Sequence, residues 1–382
     1  MIWALLISFA SVVYIWWIYA LLLANTEKND SAHFEKTSII IPCYNEEREY
    51  LIKCVDSALK TIGSSEVILV NNNSNKQETL ETFYFLKAKY PELLILNQPK
   101  QGKRFAHAKG LEYATGKIIV FVDSDTILDK NAIIELNKPF NDKSVGGVTG
   151  QVLLANEKQN IVTRMINSMF WVAFNIKRRS VANAGFMHVM PGALSAYRKE
   201  DLLKLEEGYL NQLFAGRQCN ISDDRYLTTR VQTRLLKKIK FNPLAKSYTF
   251  MPSNIFKFWK TLERWQRGAL RETFLLLKEP NKSKNKALVF DVCFNFVMIN
   301  LILIFKIFLF YNIFINFSWM YLSVLLFWIL FMNIFQGAYM VVYKPSLLIW
   351  KFLYALFYEF FWSFSYIHAW INIQKQGMWS TR

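Results

Sequence analysis

The chain has 382 residues, 53% of them hydrophobic, with 32 Phe, 18 Tyr and 12 Trp and a formal net charge of +17. That apolar and aromatic load exceeds what an ordinary soluble chain carries. Four scattered cysteines (Cys43, Cys54, Cys219, Cys293) with no CxxC spacing argue against a disulfide framework and a zinc site, and suit a reducing compartment. The basic residues are not interleaved with aromatics as in a nucleic-acid module, so nucleic acid is set aside as a partner. Anionic membrane lipids and phosphate-bearing substrates account for the charge more simply.

In chain order, residues 1–25, MIWALLISFASVVYIWWIYALLLAN, come first and hold no charged side chain. They are long enough to span a bilayer and lack the basic start and cleavage site of a signal peptide, which predicts a retained transmembrane helix. Residues 26–254 then read as an ordinary water-soluble domain. TSIIIPCYNEE (37–47), EVILVNNNSN (66–75), ELLILNQ (92–98) and KIIVFVDSD (117–125) are apolar runs ending in polar residues. Between them LIKCVDSALK, QETLETFYFLKAKY and GKRFAHAKGLEYATG have helical spacing. Alternating strands and helices predict an α/β domain with a mostly parallel sheet, and such sheets bind ligands at the carboxyl ends of their strands.

The polar groups gathered at those ends are Tyr44, Asn45 and Glu46, then Asn71, Asn72 and Asn73, then Asp123, Ser124 and Asp125. Two carboxylates at i and i+2 on a strand end can both reach a divalent cation; a pair of turn-capping aspartates is the plainer alternative. QGKR (101–104) sets Lys103 and Arg104 at a helix start, either to hold phosphates or as a solvated basic end, and lacks P-loop spacing. MPGALSAYRKE (190–200) offers a Pro-Gly turn and small residues, a floor for a sugar or any turn. ISDDRYLTTR (221–230) carries adjacent carboxylates, Asp223 and Asp224. Such a pair needs a cation partner or one raised pKa, as a general base does. It also reads as a helix start with Ser222 as cap.

Residues 255–286 contain FKFWKTLERWQRGALRETF, an amphipathic helix with Arg264, Arg267 and Arg271 near one face. It suits the membrane interface, or else its arginines grip a diphosphate and Trp265 stacks on a sugar. Residues 287–373 hold three apolar runs, the last interrupted by Lys351, Glu359 and His368, and 374–382 form a short C-terminal segment ending WSTR.

Taken in order, IIIPCYNE, QGKR, VDSDT, GALSAYR, SDDRYLT, ERWQRGALRE and WSTR resemble the membrane-integrated family 2 glycosyltransferases of GT-A fold. The likeness is to the hyaluronan synthases and nodulation-type chitin-oligosaccharide synthases, and covers nearly the whole chain. The resemblance implies Tyr44, Asn45, Glu46 and Asn72 around the nucleotide, and Lys103 and Arg104 on the donor diphosphate. It implies Asp123 and Asp125 as a DxD motif, Asp125 being the direct ligand of Mn²⁺ or Mg²⁺. Asp224 becomes the base, with Asp223 beside it, and Arg264 and Trp265 hold diphosphate and acceptor. Trp379 and Arg382 would close over the nucleotide. The implied activity is inverting, metal-dependent extension of a β-linked polysaccharide from a UDP-sugar, UDP-N-acetylglucosamine with or without UDP-glucuronate, into or across the membrane. The alternative is a single transfer to a membrane lipid acceptor. The chain departs from the pattern at Thr261, where the family has Gln, at Asn71 and Asn72 in place of an acidic pair, and at Ser380 in place of Gly. A cytosolic catalytic domain with WSTR at its site requires an even number of later crossings, so run 347–373 is expected to be re-entrant, interfacial or broken.

Overall fold

A computed structural model of the chain describes residues 33–280, 285–315 and 319–375, together with Ile15, Ile18, Tyr19 and Leu21–Leu23, which are helical. The expected N-terminal span lies largely outside the described residues, and Trp379 and Arg382 lie wholly outside them.

The first half alternates as its apolar runs require. Strand β1 (Thr37–Cys43) is followed by α1 (Arg48–Lys60), β2 (Glu66–Asn71), α2 (Gln77–Lys89), β3 (Leu94–Asn97), α3 (Lys103–Tyr113) and β4 (Ile118–Phe121). β1 lies parallel to β2 and β4, and β2 parallel to β3. Alternate residues feed opposite cores: Ile39, Ile41, Leu69 and Val120 on one face, Ile40, Ile68, Val70 and Ile119 on the other, all fully buried. Both faces covered is the reason these strands are apolar without interruption. Each such side chain contributes about 1.5–3 kcal/mol relative to exposure.

The second half breaks the parallel order. It runs β5 (Thr126–Leu128), α4 (Ala132–Asn137), β6 (Val145–Leu154), α5 (Ile161–Val172), a π-helical turn (Ala173–Arg178) and α6 (Arg179–Asn183). Next come β7 (Ser195–Arg198), α7 (Lys199–Leu210), a two-stranded β8–β9 (Leu213–Phe214, Arg217–Gln218), α8 (Asp223–Thr233) and β10 (Lys238–Thr249). The sheet order is β3-β2-β1-β4-β7-β6-β10-β5. β7 enters antiparallel between β4 and β6, pairing Ser195 with Phe121. This sets the turn before β7 beside the tip of β4, where the DSD aspartates emerge.

Helix α9 (Ile255–Leu277) starts at Asn254, whose side chain accepts from the amides of Phe256 and Lys257. Three helices follow: α10 (Lys286–Ile315), α11 (Trp319–Tyr343) and α12 (Leu348–Ile371). Lys286–Ile315 is long and apolar enough to cross a membrane; the pair Pro345–Phe357 and Phe361–Ile371 passes the same test together but is bent by 49°. Helix α9 packs by Phe258 and Leu262 against Tyr354, and by Leu270 against Leu303 and Tyr366. Part of its polar face is covered by protein. Glu263, Arg267, Arg271 and Glu272 are all buried: Arg267 pairs with Glu263 at 3.0 Å, and Arg271 donates to the carbonyls of Ile373 and Lys375. The arginines were expected on a face turned outward; protein covers them instead, because the acidic residues of the same helix and the carbonyls ending α12 satisfy them.

Candidate active site

The carboxyl ends of β1, β2 and β4 are sewn together before any ligand is considered. Asn45 adopts a left-handed φ of 52°, its amide donates to Ser74 Oγ, and its side-chain oxygen accepts from the amides of Asn75 and Lys76. Glu46 is buried and accepts from Ser124 Oγ at 2.7 Å, tying β1 to the DSD turn. Tyr44 is half-buried beside them. Asn72 is fully buried; its side chain donates to Lys100 O at 2.8 Å and accepts from the Gly102 amide at 2.7 Å. It shapes the loop that starts α3.

Arg104 is likewise engaged within the protein. It is buried, with its guanidinium donating to Tyr209 O at 2.8 Å and Ile221 O at 3.2 Å, and lies 5.0 Å from the Tyr209 ring centroid. It fixes the segment leading into Asp223. Lys103 faces the site. Its Nζ lies 2.6 Å from Asp123 Oδ1 and 3.2 Å from Asp223 Oδ2, so one cation bridges the DSD turn and the start of α8. Burial works against its charge, but Asp123 and Asp223 outweigh it and push its pKa up. Gly192, in the turn before β7, makes this approach possible: a Cβ there would stand 2.6 Å from Lys103 Nζ and 3.0 Å from Asp123 Oδ1. Asp125 Oδ1 accepts from Thr249 Oγ1 at 3.3 Å, at the end of β10.

The two adjacent carboxylates behave oppositely. Burial raises Asp223, yet Lys103, then His107 and Arg104, bring it down to about 2. Burial also raises Asp224; the Asp223 charge adds to it, and Arg225 and Lys103 only partly oppose, leaving it at about 6. Asp223 is thus a fixed anion, and Asp224 a carboxylate poised to exchange a proton near neutrality. Ser222 precedes them in the left-handed region (φ 63°) and makes no side-chain cap, so the expected hydroxyl cap is absent. Its Oγ instead packs on Gly268, where a Cβ would come within 1.9 Å. Gly268 sits one turn beyond Arg264, so this contact holds α9 against the turn that leads into Asp223 and Asp224. Arg264 is half-buried and Trp265 is 37% exposed. The Thr261 hydroxyl donates to Lys257 O on its own helix.

Sequence reasoning missed three contributors. His107, stacked 3.9 Å from the Phe121 ring, is pushed down to about 3 by burial and then Lys103, so it stays neutral beneath the site. Thr249 reaches Asp125 from a strand remote in the chain, a contact no spacing could announce. Arg178 ends the π-helical turn within electrostatic reach of Asp224 and Arg225. Its one visible signal is the basic run KRR at 177–179, following an apolar helix.

No group of three or more His, Cys, Asp or Glu side chains suited to hold a metal occurs among the described residues. Asp123 and Asp125 alone match a cation that takes one or two carboxylates and completes its shell with phosphate oxygens and water, as Mg²⁺ and Mn²⁺ do. The close cradle at Gly192, with no Cβ, leaves access to Asp123.

Comparison with known proteins agrees with this geometry. Residues 38–205 match the family described as Glycosyl transferase family 2. The chain is 28% identical over 268 residues to an N-acetylglucosaminyltransferase of Azorhizobium caulinodans, covering 68% of this chain and 65% of that protein. It is 30% identical over 253 residues to a hyaluronan synthase of Streptococcus pyogenes, covering 65% of this chain and 60% of that protein. The chain thus spans somewhat less than two thirds of these relatives' length. Its structure superposes, with a TM-score of 0.65 and 17% identity over 98% of this chain and 99% of the other, on a mannosyltransferase of Pyrobaculum calidifontis in complex with GDP-Man and Mn²⁺. Residues 38–205 thus resemble a family 2 glycosyltransferase domain, and the fold is a GT-A scaffold with a mixed, mostly parallel sheet.

Proposed function

We propose that the chain is an inverting membrane glycosyltransferase that uses a UDP-sugar, UDP-N-acetylglucosamine with or without UDP-glucuronate, to extend a β-linked polysaccharide. The observation that carries this reading is the split pair at the start of α8: Asp223 locked to Lys103, Asp224 at about 6. The acceptor hydroxyl attacks the anomeric carbon as the nucleoside diphosphate leaves from the opposite face, and Asp224 takes the proton. Lys103 and Arg264 meet the charge that grows on the leaving diphosphate. Asp125 and Asp123 would hold a divalent cation, Mn²⁺ or Mg²⁺, which supplies further neutralisation of that charge. Tyr44, Asn45, Glu46 and the loop shaped by Asn72 border the nucleotide, and Trp265 offers a ring for an acceptor sugar. The apolar helix Lys286–Ile315 supports an integral membrane protein with its catalytic domain in the cytosol, where nucleotide sugars are. Trp379 and Arg382 belong to this reading as residues that close over the nucleotide. Labelling of cysteines placed at the C-terminus checks the topology; an external terminus ends that role.

A single transfer to a membrane lipid is the second reading. Thr261 favours it, since its hydroxyl is spent on its own helix where a Gln would reach a substrate. Incubating the purified protein with radiolabelled UDP-N-acetylglucosamine and Mn²⁺ or Mg²⁺, with and without UDP-glucuronate, separates the readings. Label in water-soluble polymer supports the first, label in the organic extract supports the second, and no incorporation under any condition refutes both.

A further inference from the structure

Several arginines of this fold are held by acceptors within the protein. Arg104 and Arg198 donate to backbone carbonyls, Arg230 and Arg234 pair with Glu279, and Arg267 pairs with Glu263. Arg178 and Arg225 are exceptions. Neither guanidinium makes a hydrogen bond or an ion pair among the described residues, and the buried Arg178 Nε has no partner at all. The Arg178 guanidinium rests 4.0 Å from the ring centroid of Phe174, one turn back, so the side chain is held in place with its charge unmet.

The backbone brings the two together. Beyond the π-helical turn, the Met187 amide donates to Gln232 Oε1 at 2.9 Å and the Met190 amide to Thr228 Oγ1 at 2.9 Å. Asp224, Thr228 and Gln232 are spaced at i, i+4 and i+8, so the segment after Arg178 is stitched along the same face of α8 that begins with the base. Arg178 has Arg225 and Asp224 as its charged neighbours, and burial with the Arg225 charge lowers it to about 10. Arg225 has Asp224 and Glu272. Glu272 is already engaged, accepting from Gln212 Nε2 at 2.8 Å and lying 3.7 Å from Arg230. Two like charges, half-buried, share one carboxylate that itself has to give up its charge when it takes a proton.

Two half-buried cations that share one carboxylate are costly to keep. Lys103, which pairs with Asp123 and Asp223 and is assigned to the leaving diphosphate, is not among the charges that act on Arg178. We infer that Arg178 and Arg225 form an oxyanion subsite on the acceptor side of Asp224, holding a carboxylate or phosphate that the acceptor carries next to its attacking hydroxyl. This rests on Asp224 being the base. An anion there has a double effect: it orders the acceptor, and it replaces the attraction that the arginines lose once Asp224 is protonated. A guanidinium pair suits the planar, two-oxygen geometry of a carboxylate and equally the face of a phosphate. A uronate-ended glycan and a lipid phosphate are the two sources of that chemistry.

The test is binding to the full-length protein in detergent without donor, so that no transfer occurs. Three ligands are compared by calorimetry at fixed salt: a β-linked tetrasaccharide ending in glucuronate, the same length ending in N-acetylglucosamine, and phosphatidylglycerol, whose glycerol hydroxyls neighbour its phosphate. The expected result is that one anionic ligand binds about tenfold or more tighter than the neutral sugar. Arg178→Gln or Arg225→Gln should erase that preference, while Arg178→Lys keeps part of it. Preference for glucuronate identifies a uronate acceptor; preference for the lipid identifies a phosphate acceptor. Equal binding of all three, or a preference that survives both Gln variants, overturns the subsite. Because this readout needs no turnover, a failure of the transfer assay would refute the base without touching the binding result.

Discussion

The two sides of the α8 start differ in how they handle charge. On the side of the DSD turn, Lys103 sits between Asp123 and Asp223, and the charges are largely met within the protein. On the side of the π-helical turn, Asp224 faces Arg178 and Arg225, and the cations exceed the anions. The same dipeptide thus supplies one carboxylate that is structural and one that is reactive. Residue type does not decide which; the neighbouring charges do.

Removing the reactive half has the largest expected effect. Asp224→Asn should lower kcat by about 10²–10⁴-fold while leaving donor binding largely intact, measured by initial rates and by titration with nucleotide sugar. Unchanged turnover would move the base elsewhere. Next comes crowding of the paired half. Gly192→Ala puts a methyl against Lys103 and Asp123, and should raise the donor KM by about tenfold or more, since displaced positioning groups cost on that scale.

The pH profile sharpens the comparison further. Asp224 accepts a proton only when ionised, so turnover should fall as pH drops through about 6. Lys103 lowers both carboxylates, so Lys103→Met should shift this acid limb to higher pH, even though kcat also declines; a limb that moves down would contradict the arrangement. The smallest effect is expected at Thr249→Val, which removes one hydroxyl donor from Asp125. It should weaken donor binding in the presence of Mn²⁺ or Mg²⁺ by a few-fold, in line with about 0.5–1.5 kcal/mol for one hydrogen bond.

The strands of the first half and the helices between them were legible because both sheet faces are buried, which leaves long apolar runs such as Ile39–Ile41 and Ile118–Phe121. Lys103, Asp123, Asp125, Asp223 and Asp224 stand at strand and helix ends, as their motifs placed them. Arg104 and Asn72 have structural partners that the sequence did not announce. Those partners, Tyr209 O, Ile221 O and the Gln98–Gly102 loop, belong to segments whose approach no local pattern encodes. The arginines of α9 escaped for the same cause: an outward-looking polar face and one buried against protein have the same helical spacing.

The packing of α9 also decides where the enzyme can be divided. Arg230 lies 2% exposed on α8 and depends on Glu272 and Glu279, both beyond residue 254, and Gln212 depends on Glu272 as well. A protein cut after the sheet would be left with an orphaned cation and a bare groove where α9 had lain. The smallest piece worth expressing is therefore not the water-soluble half but one that retains the helix and, through Arg271, the carbonyls that end α12. The limits of a usable piece are thus set by its ion pairs.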